Sequence, residues 1–95
     1  MAKFVVFHNL PTPTPTSATE PVAKAAKKYS TPEAYWVSSW IQLDEKGNVS
    51  KICCEWDGKD TESIKRVLDR VGLEIPGFPV DGPYPLMKVD AETYR

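Results

Sequence analysis

The sequence predicts one α+β domain, a ferredoxin-like β-α-β-β-α-β sandwich with two helices on one face of an antiparallel sheet. Three observations predict it. Residues 3–8, 34–43 and 49–56 are rich in β-branched and aromatic side chains, two amphipathic helical stripes fall between and after them, and a turn-rich tail leaves room for one last short strand. At 95 residues the chain forms a single unit over 1–95, and a domain of this size buries roughly 60–65% of its unfolded surface, enough for one core without a disulfide or a structural metal.

The first strand, Lys3 to His8, is apolar on both parities: Phe4 and Val6 on one face, Val5 and Phe7 on the other. A strand of that kind is central and covered on both sides. Pro11, Pro13 and Pro15 then alternate with threonines. Proline fixes φ and removes a backbone donor, so 10–18 reads as a stiff extended loop, neither strand nor helix. The first helix follows, with Ser17 or Thr19 as N-cap, Pro21 in its first turn, and Val22, Ala25, Ala26 and Tyr29 sharing one face. Ser30-Thr31-Pro32 ends it.

Strict alternation through the second strand, 34–43, places Trp36, Ser38, Trp40 and Gln42 on one face and Tyr35, Val37, Ser39, Ile41 and Leu43 on the other. Asp44 to Asn48 is a hairpin loop in which Gly47 is free to take positive φ. The third strand runs from Val49 to Trp56, with Ile52, Cys54 and Trp56 opposite in parity to Cys53 and Glu55. The second helix starts at an Asp60 N-cap, carries the stripe Ile64, Val67, Leu68 and Val71, and is expected to close at Gly72, with Leu73 making the contact that often follows a C′ glycine. The tail, 74–95, is turn-rich, with a short strand expected at about Pro85 to Val89.

Two helices cover one face of such a sheet, yet apolar residues fall on both faces. Exposed, the surplus would be a costly patch. A homodimer with sheets face to face, an α/β barrel made of two chains, is the expected solution, and a tail folded across the face from Ile75 to Tyr94 is the alternative.

Composition excludes several classes. A net charge of -1 gives no basic field for a phosphate backbone, so nucleic acid is not an expected partner. No apolar run approaches the roughly 20 residues that span a bilayer, so no membrane is expected either. The strand-like sequence begins at Lys3, which leaves no room for a signal peptide. The adjacent Cys53 and Cys54 are not a disulfide framework, and a reducing, cytoplasmic setting is the expectation.

The segments Trp36-Val-Ser-Ser-Trp-Ile-Gln-Leu-Asp-Glu-Lys-Gly, Ile52-Cys-Cys-Glu-Trp-Asp-Gly-Lys-Asp and Glu62-Ser-Ile-Lys-Arg-Val-Leu-Asp-Arg-Val-Gly-Leu, with the opening Lys3-Phe-Val-Val-Phe-His-Asn-Leu-Pro, resemble a family of small ferredoxin-like proteins. It is catalogued as a domain of unknown function, DUF4242, and some members are described as nickel-binding. The resemblance covers about residues 3–73. It implies the same fold and a divalent transition metal, nickel or a similar ion, as cofactor. Phe7 stands where the family usually has a charged residue, and Glu74 where a proline is common.

His8 is the only histidine. It ends the first strand near the cysteines of the third, and thiolate with neutral imidazole suits Ni(II), Cu or Zn. The expected metal ligands are His8, Cys53, Cys54 and Glu55, completed by a second subunit because one chain offers too few soft donors for a closed site. Trp36, Trp40, Trp56 and Tyr35 are candidate walls of a pocket for a small apolar ligand. No nucleophile elbow, P-loop or dinucleotide fingerprint is present. The leading expectation is a small non-enzymatic metal-binding homodimer. The alternatives are a dimeric α/β-barrel domain with a small apolar ligand or oxygenase-like activity, and an interaction module presenting Pro11–Pro15.

Overall fold

The computed structural model describes residues 1–94. Its elements follow the expected order: β1 (Ala2–Thr14), a 3-10 turn (Thr16–Thr19), α1 (Glu20–Tyr29), β2 (Ala34–Leu43), β3 (Val49–Gly58), α2 (Thr61–Glu74), β4 (Asp81–Leu86) and a closing 3-10 turn (Ala91–Tyr94). The strands form one four-stranded sheet in the order β2-β3-β1-β4, with every neighbouring pair antiparallel. The sheet is open: β2 and β4 are its edges, and a single chain does not close it into a barrel.

The core lies between sheet and helices. Phe4 and Val6 of β1, Ile52, Cys54 and Trp56 of β3, and Ile64, Val67 and Leu68 of α2 form one buried cluster, with Ala26 and Tyr29 of α1 packed against it. The α2 stripe read from the sequence is buried throughout. Its N-cap is also as expected, since Asp60 accepts a hydrogen bond from the Ser63 backbone N–H at 2.8 Å. The 44–48 loop is the expected hairpin: Asp44 accepts from the backbone N–H groups of Lys46 and Asn48, and Gly47 takes φ 80°.

Five details differ from the sequence reading, each for a physical reason. β1 does not stop at His8 but continues to Thr14. Proline's φ is that of extended backbone, and the ladder with β3 shifts between Asn9 and Thr14, so Pro11 and Pro13 need not donate to it. Thr19 precedes α1, yet its side chain caps no helical N–H; the hydroxyl donates to the Thr16 carbonyl instead. The second helix runs past Gly72 to Glu74, and Leu73 is 83% exposed. The glycine that turns the chain with positive φ is Gly77. The last strand is Asp81–Leu86 rather than 85–89, and it adds to the sheet at the free side of β1, an edge where Pro83 and Pro85 cost no shared hydrogen bond.

The fifth difference matters most. Trp36 pairs with Trp56, but Ser38 pairs with Glu55, so Val37 is an extra residue, a β-bulge. Beyond it the parity of β2 reverses. Ala34, Trp36, Ser39 and Ile41 face the helices, while Tyr35, Ser38 and Trp40 face away. Trp36 and Trp40 therefore do not share a face.

Candidate functional site

The sheet separates two candidate regions, and the separation follows from strand alternation. On β1, His8 has the parity of Phe4 and Val6. On β3, Cys54 has the parity of Ile52 and Trp56. His8 and Cys54 thus lie on the helix side, both lining one cavity. Cys53 and Glu55 project to the opposite side, where they line a groove with Lys3, Val5, Phe7 and Trp40. The four expected metal ligands are split two and two.

The helix-side cavity measures about 120 Å³. Val22, Ala23 and Ala26 of α1 form one wall, Trp36, Ser39 and Ile41 of β2 another, Leu68 and Val71 of α2 a third, and His8, Thr19, Ile52, Cys54 and Trp56 complete it. Small alanines on α1 let that helix approach the sheet without filling the space. Its polar atoms are largely spoken for. The His8 ring is 5% exposed and donates from Nδ1 to the Pro79 carbonyl at 2.7 Å, which leaves Nε2 as the lone-pair nitrogen of the neutral ring. Phe78 stacks at a tilt on the same imidazole, with ring centres 4.9 Å apart. Trp36 Nε1 donates to Ser39 Oγ at 2.8 Å, and Ser39 Oγ donates to Cys54 Sγ at 3.1 Å. Two are not: among the described residues His8 Nε2 accepts no hydrogen bond, and the Trp56 indole N–H is a buried donor without a partner. Burial pushes the His8 pKa below its usual value and the Cys54 thiol above its own, so both groups are held neutral.

The opposite face is charged along one margin and apolar across its middle. Lys3 Nζ lies 2.6 Å from Glu55 Oε2 and 2.7 Å from Asp57 Oδ1. Tyr35 donates its hydroxyl to Asp57 at 3.0 Å, and Ser38 donates to Glu55 at 3.3 Å. The carboxylates beside Lys3 raise its pKa, and Lys3 together with Tyr35 holds Asp57 below the usual carboxylate value. Beyond this network, Phe7 lies tilted at 46° to Tyr84, with ring centres 6.2 Å apart, and carries the Lys51 ammonium 4.6 Å from its own ring centre. Trp40, beside Cys53 in the groove, is 77% exposed. The tail covers this surface only in part: Leu86, Met87 and Lys88 line the groove, yet Met87 is 85% exposed, and Val89 and Tyr94 are open as well.

The expected aromatic pocket is likewise divided. Trp36 and Trp56 line the helix-side cavity, whereas Trp40 and Tyr35 belong to the other face. The sequence reading missed Val22, Ala26, Leu68 and Val71 as cavity walls, because helical spacing marks a buried face without saying how fully it is packed. It also missed the Lys3–Glu55–Asp57–Tyr35 network, whose members join only through the β1-β3-β2 register.

Fold and side chains define a small α+β protein with a thiol and a carboxylate on an uncovered sheet face and a second thiol beside a buried imidazole beneath its helices. The chain belongs to the SCO4226-like family of nickel-responsive proteins, whose model matches residues 4–76. That match carries a different designation from DUF4242, and the two share the link to nickel. Searches of curated proteins and of solved structures returned no match. No helix among the described residues is long and apolar enough to cross a membrane.

Nickel asks for several donors at one point. Among the described residues no group of three or more His, Cys, Asp or Glu side chains is placed to hold a metal. The donors of one chain suit the ion in kind and fall short in number.

Proposed function

We propose that the protein is a non-enzymatic nickel-binding protein whose site is shared by two copies of the chain meeting through their uncovered sheet faces. The family match over residues 4–76 carries this reading. The geometry supports the shared site, because Cys53 and Glu55 stand two residues apart on the same face of β3, beside exposed Trp40 and half-buried Phe7. A two-fold axis through that groove duplicates each donor and supplies two thiolates and two carboxylates, as an isologous interface requires. When Glu55 turns to a metal, Lys3 keeps Asp57 as its counter-charge.

Catalysis finds little support. The Cys54 thiol is held protonated by burial and is not an activated nucleophile, and burial weakens His8 Nε2 as a base. His8 packs on the far side of the sheet from Cys53 and acts here as a structural ring rather than a ligand.

Equilibrium dialysis against Ni(II), combined with sedimentation, tests the proposal. The expected result is one ion per pair of chains, lost in the Cys53→Ala/Glu55→Gln double variant and kept in His8→Phe. Nickel uptake by a chain that sediments as a monomer, full binding by the double variant, or no uptake at all would each overturn it.

A further inference from the structure

The space beneath the helices lies on the other side of the sheet from the proposed metal donors, and it raises a separate question. A well-packed interior has few voids larger than a water molecule. Here about 120 Å³ stands open between α1, β2 and the core, walled almost wholly by carbon. A dry apolar cavity of about 150 Å³ takes up benzene, so this smaller space, bordered by exposed Ile41 and half-exposed Ala23, holds a ring whose far end stays at its mouth. The groups that could favour an ion are both neutralised by burial, His8 and Cys54, and no lysine, arginine or carboxylate lines the space. The wall also contains Trp56, 2% exposed, whose N–H is sealed beneath the surface of the space and has no partner among the described residues. An unpaired buried donor costs free energy that an acceptor atom would recover.

We propose that this cavity is a binding site for a small neutral molecule of one-ring size that carries a single hydrogen-bond acceptor. Its apolar body replaces the missing packing between Ala23 and Ala26 of α1 and Trp36 of β2. Its acceptor answers the unpaired indole of Trp56 once a small shift of that ring opens the sealed N–H to the space. Ions are excluded, because nothing in the wall offers a counter-charge and a buried unpaired charge is strongly unfavourable. The site is independent of nickel, so a protein that binds no metal still tests it.

The three tryptophans make the experiment specific, since Trp36 and Trp56 line the cavity and Trp40 stands on the other face. Acetophenone, a neutral ring with one carbonyl, is titrated into protein labelled with ¹⁵N while the three indole N–H resonances are followed. The expected result is saturable movement of the Trp36 and Trp56 signals, Trp56 moving most, with Trp40 unmoved. Benzoate, the same ring bearing a charge, binds at least about tenfold more weakly, which is 1.4 kcal/mol or more. Ala23→Phe fills the cavity from the half-exposed face of α1 and removes the response while circular dichroism stays native. No saturable shift in the unsubstituted protein, movement of Trp40 alone, or equal binding of benzoate would overturn the proposal even if the variant fails to fold.

Discussion

His8 reached the core because it continues the inward parity of Phe4 and Val6, and its surroundings fix its charge. Buried against Phe78, with Nδ1 bound to a carbonyl, the ring is more easily kept neutral than protonated, so its pKa lies below the ordinary 6.5. The sign of the linkage follows. Between the folded pKa and 6.5 the unfolded chain binds a proton that the folded chain does not, so stability rises with pH across that window. Urea midpoints measured on either side of 6.5 should fall on the acid side, and the part of that fall due to His8 should vanish in His8→Phe. An unchanged pH profile in the variant would remove this role from the imidazole. The residue was visible in the sequence as a lone histidine at a strand end. Its carbonyl partner was not, because Pro79 lies 71 residues away and joins it only through the turn between α2 and β4.

At the scale of elements, local chemistry was legible where it was self-contained. Asp60 and the Ile64–Val71 stripe lie within one helix, and both behave as their spacing says. Gly72 was misjudged because a glycine near a helix end marks a terminus only when the backbone there leaves the helix, and here it does not until Ile75. It sits inside α2 with open space where a Cβ would be. Gly72→Ala should therefore stabilise the fold by about 0.5–1 kcal/mol, read from chemical denaturation. A destabilised variant would mean that the helix ends earlier than Glu74. The proline segment shows the reverse error: residues 10–14 are extended, as expected, but remain part of the strand.

Over the whole molecule, strand order and helix placement could be inferred from element order, and an open sheet with one bare face is the result. The surplus apolar surface was also foreseen. Periodicity marks that surplus without saying what covers it. The proposed pairing makes Trp40 an anchor, since an exposed indole at the centre of an interface is where binding energy concentrates. Trp40→Lys should leave the monomer folded, because the side chain is 77% exposed, and should shift the sedimentation coefficient to that of one chain. A variant that still sediments as a pair would place the contact elsewhere. The site was the least legible feature of all, because which cysteine shares a face with His8 is fixed only by the pairing of β1 with β3.

The bulge at Val37 has a wider consequence. One additional residue moves β2 into a different frame half-way along its length, so a tryptophan four positions from another serves a different environment. A relative that keeps this residue but pairs it in an unbroken ladder would carry the downstream indole under its helices and Ser39 out to solvent. Any alignment drawn through this strand without a gap would then exchange inner and outer positions while every letter still matched. Loss of the bulge with Val37 retained is thus a one-step evolutionary route for rewriting what each surface of the sheet can bind.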